Sequence, residues 1–351
     1  MKKIVKRIFA TYMAFMLMLT SAFNTYAADI SNDKNIQLIE KFWDCINEDK
    51  WSEWTDCFAS NVRDEYVSLV SNPKNFENNI GILNVEFAEI TDVEKTTKDQ
   101  IPDIYNKLDP GTVPSNAEAY LVTLNMKVHK DSSYFSNGDN KYLFVIAVSN
   151  NIPYVCAIQK IADIPDTIAD EPVGVGFNNF IPQPQTITVR YKDNVTIETI
   201  SFFDFVFNAT CNEIGNKGYA DNAIIANSVA IKMCGWWCKR GQYFPVGGYD
   251  IRYGLVAINN INEASATNQQ RIRNIINNTM SYRALSSNGK LFFMNYFAGD
   301  YNASGQGSGR MRQNGSSYLA NQGYSWDRIL RYYYDYSRYN NNGVGYMVLY
   351  R

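Results

Sequence analysis

The sequence predicts an exported protein made of two α+β domains. In the N-terminal half, helical patterns come first and alternating strand patterns follow, which is the order of an α+β layer. Residues 28–171 carry 12 Lys and Arg against 25 Asp and Glu, whereas residues 172–351 carry 17 against 10. Residues 165–185 contain several prolines without periodicity, as expected of a linker. We therefore place the two domains at residues 32–164 and 186–351.

The first 27 residues are predicted to be a signal peptide. Basic residues at positions 2, 3, 6 and 7 precede an apolar stretch, and Thr25-Tyr26-Ala27 has the small-x-small form of a cleavage site. The apolar stretch is short for a membrane span, and no second one follows. We expect a secreted, extracellular protein that is associated with the cell wall. The abundance of Asn, Ile, Lys and Tyr is typical of exported proteins of Gram-positive bacteria with low GC content.

Residues 32–164 are predicted to form helices followed by an antiparallel meander. Apolar positions 38, 39, 42 and 46 share one helical face, and a strand is expected around residues 82–90. Positions 122–129 alternate between apolar and polar side chains, and residues 141–161 read as a hairpin around Ser149-Asn150-Asn151. His129 is the only histidine, and its place on the polar face of a strand favours a solvated side chain over a pocket base.

This half resembles the nuclear-transport-factor-like cone family. The resemblance depends on the turn Asp49-Lys50-Trp51 and the following Cys57-Phe58. It implies an N-terminal cone-like, curved antiparallel sheet that wraps a long helix. Members range from enzymes with a pocket to interaction modules, so other cell-wall enzymes are candidate partners of this domain.

The second domain is organised around one glutamate, Glu213. The residue lies between an apolar run and an amphipathic run in which positions 225, 226, 229, 230, 233 and 237 share a helical face. Asp221 is the expected N-cap of that second helix, so Glu213 is expected on the loop before it. Capping of the helix, or pairing with Lys217, would explain Glu213 without any function.

Three segments resemble the stage II sporulation protein D family of peptidoglycan lytic transglycosylases and amidase enhancers. Residues 202–233 fit the opening of the family domain, and Glu213 falls on its catalytic glutamate. The loop GQGSGRMRQNG at residues 305–315 is similar to the family's glycine-histidine-glycine loop, and residues 323–334 match its closing segment. The resemblance spans about residues 186–337 and implies a second mixed α+β domain of this type.

The resemblance implies cleavage of peptidoglycan glycan strands by lytic transglycosylation, with Glu213 as acid and base. An acid in a mostly apolar environment can protonate the glycosidic oxygen and then take the proton of the muramic C6 hydroxyl, which leaves an anhydro-muramic product. The residues expected to contact the glycan are Gln306, Tyr296, Gln313, Ser308, Arg312 and Trp236.

The chain also departs from the family pattern. Gln306 replaces the loop histidine, Arg312 replaces a serine, and residues 297–300 replace a Ser-Ser-Gly-Gly turn. Some members of the family bind zinc through Cys and His side chains. Cys234 and Cys238 are present here, but the domain contains no histidine, so we predict no metal and no cofactor. A noncatalytic peptidoglycan-binding or amidase-regulating module therefore stays open as an alternative function.

The basic residues of the second domain allow two interpretations. They could bind anionic wall polymer, or they could form a solvated face; they are Lys239, Arg240, Arg310, Arg312, Arg328 and Arg331. No motif suggests nucleic acid as a partner. Six cysteines divide three to each half, and we assign no disulfide.

Overall fold

The structure is a computed structural model that describes residues 33–98, 101, 113–161, 182–259, 262–340 and 343–350. The predicted signal peptide and most of the predicted linker lie outside the described residues. The fold is mixed α+β with an antiparallel sheet, which confirms the predicted class. Two compact units are present, and the second contains Ser68–Asn84 and Lys130–Ser136 in addition to the C-terminal part that begins at Ile158. No described helix has the length and apolar character needed to cross a membrane.

The first unit packs a helix against a four-stranded sheet. Its helices are α1 (Lys34–Asn47), α2 (Trp51–Thr55) and most of α3 (Ser60–Ser71). The strands follow in spatial order β1 (Val85–Thr96), β2 (Glu118–Val128), β3 (Gly138–Ser149) and β4 (Ile152–Ile161). Phe42 of α1 meets Phe144 of β3 edge to face, with ring centroids 5.3 Å apart. The apolar stripe of α1 therefore faces the sheet.

Several predictions for this unit are confirmed. The predicted stripe of α1 is buried, and Asn150 and Asn151 both adopt positive φ in the turn between β3 and β4, as a tight two-residue hairpin turn requires. His129 is exposed beside Glu86. The predicted strand at 82–90 begins later, at Val85, because residues Gly81–Asn84 form a 3-10 turn.

The second unit is built around one long helix. Its helices are α4 (Pro73–Glu77), α5 (Phe202–Ile214), α6 (Asp221–Gly241), α7 (Ala266–Thr279), α8 (Gln313–Asn321) and α9 (Trp326–Tyr334). Helix α6 packs against α5, α7, α8 and α9. A Cβ added at Gly235 of α6 would lie 2.3 Å from the Phe205 ring of α5, so the close approach of these helices needs glycine there.

Short strands complete this unit in three small sheets. They are β5 (Thr186–Arg190), β6 (Ile197–Ser201), β7 (Ile251–Arg252), β8 (Arg283–Ser286), β9 (Asn295–Phe297), β10 (Arg310–Arg312) and β11 (Met347–Tyr350). The sheets are β6-β5-β7, antiparallel β8-β11 and parallel β9-β10.

Two predictions about the helix ends are wrong. Glu213 is not on a loop, because α5 continues to Ile214. Asp221 is not the N-cap of α6: Ala220 occupies that position with extended backbone angles, and Asp221 opens the first turn. The Asp221 carboxylate accepts a hydrogen bond from Arg271 Nε at 2.8 Å, so it is occupied by α7 rather than by the backbone amides of its own helix.

Candidate functional site

Glu213 stands in the last turn of α5, and that end of the helix is tied to a neighbouring segment. Asn212 Oδ1 accepts a hydrogen bond from Glu263 N at 3.0 Å, and Asn216 bonds Glu263 O at 2.6 Å and Ser265 N at 3.1 Å. These contacts fix the residues on both sides of Glu213. A carboxylate on such a support keeps one position, which is what a catalytic or structural role requires.

Both carboxylate oxygens of Glu213 accept a hydrogen bond. Oε1 accepts from Ala257 N at 2.7 Å, and Oε2 accepts from Gln313 Nε2 at 3.0 Å. The side chain is half-buried. Lys217, which we considered as a partner of Glu213, instead lies with Nζ 5.9 Å from the centroid of the Tyr219 ring.

The Gln313 side chain is buried, so a sugar cannot reach it in this conformation. Gln313 is the first residue of α8, and its side chain is 1% exposed. Ser316 Oγ donates to Gln313 O at 2.6 Å, and Asn227 Nδ2 of α6 donates to Ser316 Oγ at 2.8 Å. Helix α6 thus anchors the first turn of α8 and, through it, the amide that bonds Glu213.

Tyr296 lies beside the same carboxylate. Its hydroxyl is buried and makes no hydrogen bond of standard geometry with the described residues. The Glu213 carboxylate is nevertheless close enough to shift the pKa of this hydroxyl. Burial, and then the charge of Glu213, raise the pKa of Tyr296 well above its usual value. The phenol therefore stays protonated at neutral pH and remains a donor. Glu213, Gln313 and Tyr296 are the predicted site residues that the fold brings together.

Arg312 lies on the other face of the β9-β10 ladder. Tyr296 pairs with Met311 in register, and successive side chains of a strand point to opposite faces. Arg310 and Arg312 both lie over the Phe297 ring, at 4.2 Å and 5.5 Å from its centroid. Arg312 Nη1 also donates to Asp300 at 2.8 Å. Arg312 is therefore held away from the face that carries Tyr296.

The glycine loop is shaped by its own hydrogen bonds. Gly307 N and Gly309 N donate to the carbonyls of Tyr332 at 2.9 Å and Tyr333 at 2.7 Å. Ser308 Oγ donates to Arg310 O at 3.1 Å, so this hydroxyl supports the loop. Gln306 is exposed. Among the described contacts, none joins Gln306 or Ser308 to Glu213.

Trp236 belongs to α6 and is buried. The ring is 2% exposed and lies 5.9 Å from the Arg283 guanidinium. Stacking on a sugar needs an open face, which a buried ring does not offer in this conformation. Cys234 and Cys238 are also buried in α6 as free thiols. The described residues contain no group of three or more His, Cys, Asp or Glu side chains that could hold a metal ion.

Five of the six basic residues singled out in the sequence make contacts within the protein. Lys239 Nζ pairs with Asp250 at 3.1 Å, Arg331 Nη1 donates to Met347 O at 2.6 Å, and Arg312 is bound to Asp300 as described. Arg310 and Arg328 lie over aromatic rings. These contacts favour the interpretation that much of the positive charge stabilises the fold.

Sequence patterns missed two contributors to this site. Ala257 acts through its backbone amide, which leaves no signal in a side-chain pattern. Asn314 bonds Gly299 O at 2.7 Å through Nδ2 and accepts a hydrogen bond from Tyr219 Oη. The signal that could have identified Asn314 is its position directly after Gln313 in the loop motif at residues 305–315.

No protein-family model matches the chain, and no curated protein matches it.

Proposed function

We propose that this chain binds peptidoglycan glycan strands and cleaves them by lytic transglycosylation, with Glu213 as acid and base. The observation that carries the proposal is the fixed Glu213 carboxylate, held by Ala257 N and Gln313 Nε2 beside the buried phenol of Tyr296. It stands at the position where the resemblance to the sporulation protein D family puts the catalytic acid.

The hydrogen bonds of Glu213 suit a group that gains and loses a proton. Ala257 N can only donate, so Oε1 stays an acceptor and Oε2 carries the proton of the acid form. The Gln313 amide donates through Nε2 to Oε2 of the carboxylate, and in the acid form Oε2 still accepts this hydrogen bond through a remaining lone pair while its proton points to the glycosidic oxygen. Gln313 therefore keeps its contact with Glu213 in both protonation states.

The proposed reaction uses that proton twice. Protonated Glu213 gives its proton to the glycosidic oxygen as the bond from muramic C1 to this oxygen breaks. The carboxylate then takes the proton of the C6 hydroxyl, whose oxygen bonds to C1 and closes the anhydro ring. Tyr296 remains protonated and can donate to developing negative charge or to the carboxylate.

The second candidate is a noncatalytic module that binds glycan strands or regulates an amidase. Two observations favour it: Gln306, at the place of the family histidine, cannot transfer a proton as imidazole does, and both Glu213 oxygens are already bonded. In that case Glu213 serves to attach the segment around Ala257 to the end of α5.

Product analysis separates the two candidates. Purified protein is incubated with peptidoglycan sacculi and, separately, with glycan strands freed of stem peptides, and anhydro-muropeptides are sought by mass spectrometry. We expect product from the native chain, none from Glu213→Gln, and native levels from Glu263→Gln, an exposed carboxylate on the neighbouring segment. Product from Glu213→Gln would refute the assigned residue. Binding without product from any variant would establish the noncatalytic candidate.

We also infer the finer architecture and location from the same resemblances. Helix α1 packed on the four-stranded sheet supports a cone-like first unit, and the arrangement of helices around α6 supports a sporulation protein D type for the second. The leader-like N-terminus supports secretion and association with the cell wall. Other cell-wall enzymes remain proposed partners of the first unit.

A further inference from the structure

Tyr301 is an exposed tyrosine that is nevertheless fixed in place. Its side chain is 55% exposed. Asn321 Nδ2 donates to its hydroxyl at 2.6 Å, and the Tyr318 ring meets it edge to face, with centroids 5.5 Å apart at 89°. Both partners belong to α8. A ring held by two contacts loses little conformational freedom when it binds a ligand, which is an advantage for recognition.

The loop that carries Tyr301 is tied to the helix that supports Glu213. The loop follows β9 and its Tyr296. Asn314 N donates to Ala298 O at 3.0 Å, and Asn314 Nδ2 donates to Gly299 O at 2.7 Å. Asn314 is the second residue of α8, directly after the Gln313 that bonds Glu213. The loop and the carboxylate are therefore positioned by the same helical turn.

A second chain of contacts connects Tyr301 with the site. Tyr219, six residues after Glu213, donates its hydroxyl to Asn314 Oδ1. Asn314 also bonds Gly299, two residues before Tyr301, and burial followed by the Tyr301 phenol raises the pKa of Tyr219 to about 12. Tyr301 therefore lies on the side of the unit where α5 ends and α8 begins.

We propose that Tyr301 is a stacking subsite for one pyranose ring of the glycan strand that Glu213 cleaves. This inference depends on the proposed function. The C–H face of an N-acetylhexosamine packs on an aromatic face, and the edge-to-face contact with Tyr318 covers at most one face of Tyr301. The Asn321 hydrogen bond orients the ring, and its 55% exposure leaves surface that a ligand can contact. Trp236, which we had expected to perform this role, is buried.

Binding measured without turnover tests the subsite. In the Glu213→Gln background, calorimetry measures the affinity for glycan strands freed of stem peptides. Three further substitutions are added to it one at a time: Tyr301→Ala, Tyr301→Phe and, as a control, Tyr346→Ala, which removes another tyrosine that is 48% exposed. We expect about ten-fold weaker binding for Tyr301→Ala, within about two-fold of the parent for Tyr301→Phe, and no change for Tyr346→Ala.

The outcomes distinguish this inference from the proposed function. Equal affinities of the parent and Tyr301→Ala overturn the subsite, even if the native chain yields anhydro products. Equal losses of affinity for Tyr301→Ala and Tyr346→Ala also overturn the subsite. It is overturned as well if the parent Glu213→Gln variant binds no glycan. A loss specific to Tyr301→Ala in a chain that never yields product supports the subsite and refutes the catalytic role of Glu213.

Discussion

Substitution of Asp250 by Asn should destabilise the second unit by about 3 kcal/mol. Asp250 is 1% exposed, and three donors converge on its carboxylate. Tyr134 Oη donates to Oδ1 at 2.6 Å, while Thr188 N at 2.8 Å and Lys239 Nζ at 3.1 Å donate to Oδ2. Tyr134 belongs to a short segment far from the others in sequence, so Asp250 joins that segment to the rest of the unit.

The magnitude follows from these three contacts. A hydrogen bond to a charged group contributes about 1.5–3 kcal/mol, and a buried group that loses its partner carries the cost of desolvation. Asn keeps the shape of Asp250 but has only one accepting oxygen. If this oxygen faces Thr188 and Lys239, the NH₂ group faces the Tyr134 hydroxyl, which donates to Asp250 in the native chain. It also removes the charge that faces Lys239. Partial rearrangement of the Tyr134 hydroxyl lowers the total to about 3 kcal/mol.

The assay is chemical unfolding combined with a double-mutant cycle. Native chain, Asp250→Asn, Tyr134→Phe and the double variant are unfolded in urea, and hydrogen exchange at the Thr188 amide supplies a local readout. We expect a coupling energy of about 1.5–3 kcal/mol between Asp250 and Tyr134. Asp300→Asn is the control, because this carboxylate is 78% exposed and its pair with Arg312 should contribute less than about 1 kcal/mol.

Two results would refute this reasoning. The first is a stability loss for Asp250→Asn no larger than that for Asp300→Asn. The second is a coupling energy with Tyr134 below about 0.5 kcal/mol, the level at which independent sites are additive. Either result would mean that Asp250 does not hold the Tyr134 segment in place.

Three further predictions follow from the same contacts. Gln313→Leu removes the donor to Glu213 and should lower kcat for glycan cleavage about 10- to 100-fold with KM nearly unchanged, whereas a large rise in KM would show that Gln313 binds substrate. Burial lowers the pKa of Lys232 to about 7, so between pH 7 and 10.5 the unfolded chain holds a proton that the folded chain has lost, and stability rises with pH. From pH 7.5 to 10 the free energy of unfolding of the native chain should rise by up to about 3 kcal/mol relative to that of Lys232→Met. This is an upper value, because three carbonyls accept hydrogen bonds from Nζ and so favour its charged form. Equal pH profiles of the two chains would refute the prediction. Gly215→Ala should cost about 2–3 kcal/mol in urea unfolding, since the new Cβ would lie 2.5 Å from Ala264 Cβ, and an unchanged midpoint would show that the backbone yields easily.

Local periodicity was enough to find the regular elements. The stripe of α1 and the β3-β4 turn at Asn150 and Asn151 both follow from spacings within a single segment. The reason is that one buried face repeats with the period of a helix or a strand, so the pattern is written in consecutive residues. Helix ends were less predictable, because Asp221 is bound by Arg271 from another helix and Ala220 takes the cap position.

The site itself could be named from the sequence only in part. Glu213, Tyr296 and Gln313 were singled out and do lie together, whereas Trp236 is buried and Arg312 is on the opposite face of its ladder. The sequence gives the residue type at each position, but the exposure of a tryptophan side chain depends on every element that packs around it. Arg312 is placed by the pairing of β9 with β10, which no single segment specifies.

The sequence alone therefore determined the α+β class, the main helices and strands of the first unit, and Glu213 as the residue to test. Only the tertiary structure decided what Glu213 contacts: the Ala257 amide lies 44 residues away in the chain and the Gln313 amide 100 residues away. The same holds for Tyr301, whose fixed orientation comes from contacts with α8. Periodicity records which face of a segment is buried, while the partners of a side chain depend on long-range packing that brings distant segments together.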